Sequence, residues 1–147
     1  SGLVLFCKHP FFQAYCDKNM EEHHIKKVYI ALVQGHTNYK NKKIISNIAR
    51  DRHNAKKMII HPNGKESVSI FNTLKNYKDC SLIQVTILTG RKHQIRVQCA
   101  SLNHPILNDP LYGGKKIDNT GLLLQSHHIQ FNDVDITCPQ EKRFIRK

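Results

Sequence analysis

The sequence has 147 residues, a length suited to one compact domain that buries roughly two thirds of its unfolded surface. Apolar residues make up 39% and charged residues 23%, and no run is long enough to cross a bilayer, which argues against a disordered chain and a membrane-spanning helix. Its 23 Lys and Arg against 11 Asp and Glu give a formal charge of +12, an excess that attracts polyanions, nucleic acid foremost.

The chain opens at Ser1-Gly2 and runs straight into Leu3-Val4-Leu5-Phe6, which reads as a strand entered midway, so the true amino terminus is expected elsewhere. Pro10 suits a first helical position, and Phe11, Ala14 and Tyr15 recur at helical spacing as far as Met20. Lys27 to Gln34 is a strand with Val28, Ile30 and Leu32 on one face and Tyr29, Ala31 and Val33 on the other, closed by Gly35. His36 to Lys43 is polar and basic, hence a loop. Strands at Lys57 to His61 and Glu66 to Leu74 flank Pro62-Asn63-Gly64, a turn signal that predicts a hairpin. A second turn, Asn76 to Asp79, leads into the alternating strand Ser81 to Leu88.

From Lys92 to Asn103, Ile95, Cys99 and Leu102 share one helical face, and His104-Pro105 is expected to end that helix. A loop holding Asp109-Pro110 and Tyr112-Gly113-Gly114 precedes strands at Leu122 to Phe131 and Val134 to Thr137, and the tail from Glu141 is expected to fray. The sum is one α+β domain over residues 1–147, with a mixed, largely antiparallel sheet flanked by helices.

Five cysteines, at positions 7, 16, 80, 99 and 138, are odd in number and sit in apolar stretches, so they read as small core residues in a reducing cytoplasm rather than as a disulfide framework. No Cys-x-x-Cys or His-Glu-x-x-His occurs, and His23-His24 and His127-His128 are adjacent rather than at a chelating interval, so no metal is expected. Gly113-Gly114-Lys115 lacks the spacing of a phosphate-binding loop.

The segment richest in chemistry is Leu88-Thr89-Gly90-Arg91-Lys92-His93-Gln94-Ile95-Arg96-Val97, where a strand turns at Gly90 into a helix whose free N–H groups and basic side chains favour anions. Taken alone it reads equally as a basic helix end on a solvated surface. Arg96 points further, because an inward guanidinium between Ile95 and Val97 needs a carboxylate or phosphate partner.

LTGRKHQIRV at 88–97, followed by NHPILNDPLYGG at 103–114, resembles the signature of the RluA family of pseudouridine synthases, and SGLVLFCK at 1–8, KKVYIALVQG at 26–35 and LLLQSHHIQF at 122–131 agree in order. The resemblance implies a pseudouridine synthase catalytic-domain fold, present here in part. It implies isomerisation of uridine in RNA, the base detaching at N1 and rejoining through C5 after being flipped from its stack, without metal or cofactor. Arg96 matches the arginine that ion-pairs with the catalytic aspartate. Tyr29 matches the tyrosine that stacks on the base and serves in proton removal from C5; read alone it is an ordinary strand aromatic. Arg91, Lys92, His93 and Gln94 fall near the cleft, with RNA-binding or loop-anchoring roles. Asp109 is read as a turn residue accepting local hydrogen bonds.

The family's aspartate lies in a His-Arg-Leu-Asp run four positions ahead of the serine matched by Ser1, so the chain as given is expected to be inactive. Gln125-Ser126 also departs from the family's usual His-Ala. The expected partner is structured RNA, ribosomal rather than transfer RNA, with a monomeric intact protein and no membrane contact. The competing reading is a non-catalytic RNA-binding module on the same fold; a basic domain that meets protein or membrane is a third.

Overall fold

In the computed structural model, residues 1–22 and 24–146 are described. Two helices, seven strands and two 3-10 turns follow in the order α1 (Pro10–Glu21), β1 (Lys26–Gln34), β2 (Lys42–Arg50), β3 (Met58–Ile60), β4 (Lys65–Asn76), β5 (Cys80–Ile87), α2 (Gln94–Ser101), η1 (Pro110–Tyr112), β6 (Leu124–Phe131), β7 (Val134–Thr137) and η2 (Lys142–Phe144). The strands form one sheet in the order β3-β2-β4-β5-β1-β6-β7, and every neighbouring pair is antiparallel. No helix among the described residues is long and apolar enough to cross a membrane.

The core lies on the central strands. β1 and β5 are buried on both faces, with Ala31, Leu32, Val33, Ile83 and Val85 fully enclosed. Directly paired residues share a face, so Tyr29, Val85 and Phe71 form one row across β1, β5 and β4. Ser69, two residues from Phe71, is on that same face, and there helix α2 docks. The helix ends when Asn103 turns left-handed at φ 61°. His104 N–H then donates to Cys99 O at 3.0 Å and Asn103 N–H to Ala100 O at 3.0 Å, a paired closure that satisfies the last carbonyls before Pro105 is reached.

Several expected elements form differently. Leu3 to Phe6 is not a strand: Gly2 makes a single parallel bridge to Ser126, and Val4 and Phe6 are exposed. In α1 the buried side chains include Cys16 and Asn19, while Phe11, Phe12 and Tyr15 face outward. The stretch 42–50, whose first residues were read as loop, is a strand, because β2 inserts between β3 and β4 and pairs with both: Ile48 faces Ile60 on one side and Lys65 on the other. The predicted β3–β4 hairpin is therefore a turn that crosses over β2. A Cβ on Gly64 would lie 2.6 Å from the Ile48 carbonyl carbon, so that crossing needs glycine. The tail is anchored rather than frayed: Phe144 is fully buried, and Arg143 donates to Thr120 O at 2.8 Å and bonds Glu141. His23, part of one adjacent histidine pair, lies outside the described residues.

Candidate functional site at the start of helix α2 and on strand β1

After β5 the chain turns through Gly90 and enters α2 behind His93, which takes a left-handed conformation at φ 56°. Gln94, only 3% exposed, holds this turn. Its Oε1 accepts from Thr89 Oγ1 at 2.9 Å and Arg91 N–H at 3.0 Å, while its Nε2 donates to Val68 O at 3.1 Å and Ser69 Oγ at 2.8 Å. One turn later Gln98, fully buried, accepts from Ser69 Oγ at 2.8 Å and donates to Ser46 and Ser67 hydroxyls. Of the two roles read for Gln94, anchoring is the one these contacts serve, since its amide is filled from within the protein.

Arg96 leaves the helix on the other side. Its Nε and Nη2 donate to the two carboxylate oxygens of Asp109 at 2.8 and 2.7 Å, and its guanidinium carbon sits 4.9 Å from the Tyr112 ring centroid. Asp109 is almost wholly buried, whereas Arg96 keeps an edge to solvent. The hydrogen bonds to Asp109 raise the Arg96 pKa above its ordinary value, so the charge is permanent. Reading Asp109 as a local turn residue was incomplete. Its backbone oxygen does accept locally, from Tyr112 N–H and Gly114 N–H, but its carboxylate grips a helix thirteen positions earlier. The inward guanidinium did need a carboxylate, and the chain supplies one.

Tyr112, whose role the sequence left unassigned, completes the arrangement. Its hydroxyl accepts from Met58 N–H at 2.9 Å and lies 2.9 Å from His93 Nδ1. Burial, then the Arg96 and Lys92 charges, lower the His93 pKa, while burial raises that of Tyr112. A neutral His93 accepting the Tyr112 proton at Nδ1 satisfies all three groups. The pattern Asp-Pro-Leu-Tyr-Gly after a basic helix carries this signal: a carboxylate and a phenol three apart can meet two helix side chains three apart.

Arg91 donates from Nε to Glu66 O at 3.0 Å and is half-buried; Lys92 is exposed. These two leave positive charge free toward solvent at the helix start. Among the described residues no cluster of three or more His, Cys, Asp or Glu is placed to hold a metal ion.

Tyr29 stands on β1 between Val85 and Ser126, at a bulge between Val28 and Tyr29 in the β1–β6 pairing. Burial raises its pKa, partly offset by the neighbouring Ser126, so the phenol is neutral near pH 7. The first residues of the chain run along β6 beside it: Ser126 N–H donates to Ser1 O at 3.0 Å and Leu3 N–H to Ser126 O at 3.0 Å. Gly2, at φ 92°, could not carry a Cβ there, because it would fall 2.1 Å from Ser126 O. The structure thus joins Tyr29 to Ser1-Gly2 through Ser126, and Arg96 to His93 through Tyr112. Tyr29 packs against the apolar cluster that contains Ile95 of α2.

Comparison with known proteins identifies the family. Residues 1–101 match the family model described as RNA pseudouridylate synthase. The chain is 39% identical to ribosomal large subunit pseudouridine synthase C of Buchnera aphidicola, over 80% of this chain and 38% of that protein. It is 33% identical to ribosomal large subunit pseudouridine synthase D of Borreliella burgdorferi, over 99% of this chain and 44% of that protein. The solved structure of human RNA pseudouridylate synthase domain containing 1 superposes with a TM-score of 0.77 at 24% identity, covering 90% of this chain and 62% of that one, which shows the fold. The chain spans about two fifths of the length of the curated relatives it matches. It belongs to the RNA pseudouridylate synthase family, of the RluA type that its motifs resemble.

Proposed function

From that membership we propose that the complete protein isomerises uridines in structured RNA to pseudouridine, with ribosomal RNA as the substrate class in preference to transfer RNA. The observation that carries the proposal is the family match over residues 1–101, which takes in both Tyr29 and the Arg91–Arg96 segment. The ribosomal preference is supported by relatives named as large-subunit synthases.

Tyr29 is assigned to the flipped base. Its raised pKa favours a neutral ring for stacking over a phenolate that removes the C5 proton, so its first role is to hold the base, with the hydroxyl passing a proton only in concert with an acceptor. The nucleophile is the aspartate that the resemblance assigns four positions ahead of Ser1, and Ser1-Gly2 beside Ser126 would bring the chain preceding them into the neighbourhood of Tyr29. Arg96 is assigned to that aspartate through its remaining nitrogen, Nη1, with Asp109 fixing the plane of the fork. Arg91 and Lys92 meet RNA phosphates at the helix start, with His93 beside them.

The test is tritium release from RNA labelled at uridine C5. Exchange at C5 accompanies formation of the new C–C bond, so the complete protein should release tritium from a ribosomal RNA substrate, and the 147-residue chain alone should release none. No release by the complete protein from any ribosomal or transfer RNA, with RNA binding intact, would favour the non-catalytic module instead.

A further inference from the structure

At the end of β1 remote from Gly90, a cleft of about 810 Å³ opens between segments distant in sequence: the β1 exit at Gln34 to His36, the β4–β5 turn at Tyr77 to Cys80, the covering segment at Leu107, Lys115 and Ile117, and Arg146. It shares no residue with the site built on Tyr29 and α2. Its volume is within the range of pockets that hold small molecules and nucleotides.

Four basic side chains line it, His36, Lys78, Lys115 and Arg146, against one carboxylate, Asp79. The cleft is also braced. His36 Nε2 bridges the Tyr77 and Lys78 carbonyl oxygens at 2.7 and 3.0 Å, which fixes the turn bearing Lys78. Arg146 Nη2 meets Asp118 at 3.3 Å, and hydrogen bonds from Thr120 hold that carboxyl far below the usual carboxylate range, so the anchor stays charged. The Arg146 side chain stays partly exposed where it lines the cleft. Tyr77 and Ile117 add apolar wall to this basic lining.

We infer that this cleft takes one nucleotide of the RNA strand away from the reacting uridine, its phosphate among Lys78, Lys115 and Arg146 and its base against Tyr77 and Ile117. The inference rests on the proposal that the protein acts on RNA. Gln34 is five residues beyond Tyr29 on β1, about 17 Å at ~3.4 Å per residue. A strand covers that distance in about five stacked nucleotides. Cations supply the affinity and an aromatic wall gives sequence-tolerant stacking.

The test uses the complete protein and a fluorescein-labelled ribosomal RNA stem-loop with a single-stranded flank, titrated by anisotropy from 50 to 200 mM salt. A Lys78→Glu/Lys115→Glu double variant is compared with Lys8→Glu/Lys18→Glu, which changes net charge equally on and just before α1. The cleft double should lose at least about tenfold in affinity and flatten the slope of log K against log salt by about 0.7 to 1, for the one phosphate the cleft holds. The control should lose less than about threefold. Equal losses in both doubles, or no loss in either, overturn the cleft. RNA binding absent in the wild type overturns the cleft and the RNA reading together, whereas a cleft-specific loss without tritium release from the wild type overturns the isomerase reading alone.

Discussion

Helix α2 is held by different chemistry on its two sides. Toward the sheet, Gln94 and Gln98 meet Thr89, Ser46, Ser67 and Ser69 in a buried network without a formal charge. Toward the covering segment, Arg96 and Asp109 form an ion pair stacked on Tyr112. The neutral side gives position: each amide has distinct donors and acceptors, so the helix has one register on β4. The charged side gives a tether that salt can reach, because Arg96 keeps an edge to water. The basic helix start at Arg91 and Lys92 thus rests on neutral groups that a change of salt leaves in place.

The comparison can be broken most severely from the charged side. Asp109→Ala strands a guanidinium whose surroundings are mostly protein, and should cost about 3 kcal/mol in urea unfolding, the low end for a buried pair. Gln98→Leu, of similar volume, leaves the Ser69 hydroxyl proton without its acceptor and should cost about 2 kcal/mol, with a loss that does not vary with salt. A salt-dependent Gln98→Leu loss, or a salt-independent Asp109→Ala loss, would erase the distinction.

Tyr112→Phe removes the acceptor for Met58 N–H and the partner of His93 and should cost about 1 kcal/mol. The His93 contribution carries a pH sign. Its folded pKa is below the unfolded value of 6.5, so the unfolded chain binds the proton more readily. Stability is complete above 6.5 and falls as pH drops through 6.5 toward the folded value, and His93→Gln should reduce this slope in denaturant titrations at pH 7.5 and 5. The smallest effect sharpens the scale: Lys18–Glu22 on α1 is a solvent-exposed pair at 3.7 Å, and Lys18→Ala should change stability by no more than about 0.5 kcal/mol.

How much was legible in the sequence follows from range. β1, the β4–β5 hairpin, α2 and the β6–β7 pair were readable because period-two alternation, turn residues and helical spacing are local. β2 was missed because Ile44, Ile45 and Ile48 break alternation, and its insertion between β3 and β4 is a long-range fact that the Pro62-Asn63-Gly64 turn conceals. Leu3 to Phe6 has strand composition, yet Gly2 alone bridges Ser126 and the rest turns outward. In the candidate site, Tyr29 and the Gly90 turn were singled out by their motif, and the strand and the turn that carry them were readable locally. The need of Arg96 for a carboxylate or phosphate was foreseen from its apolar neighbours, but that Asp109 supplies it depends on a loop wrapping over α2 thirteen residues on, and Asp109 had been read only as a turn residue.

Pseudouridine mapping of ribosomal RNA from cells lacking the gene tests the central claim most directly. The account predicts that at least one pseudouridine disappears, returns with the wild-type gene, and does not return with Tyr29→Leu. A ribosomal map unchanged by the deletion would contradict it.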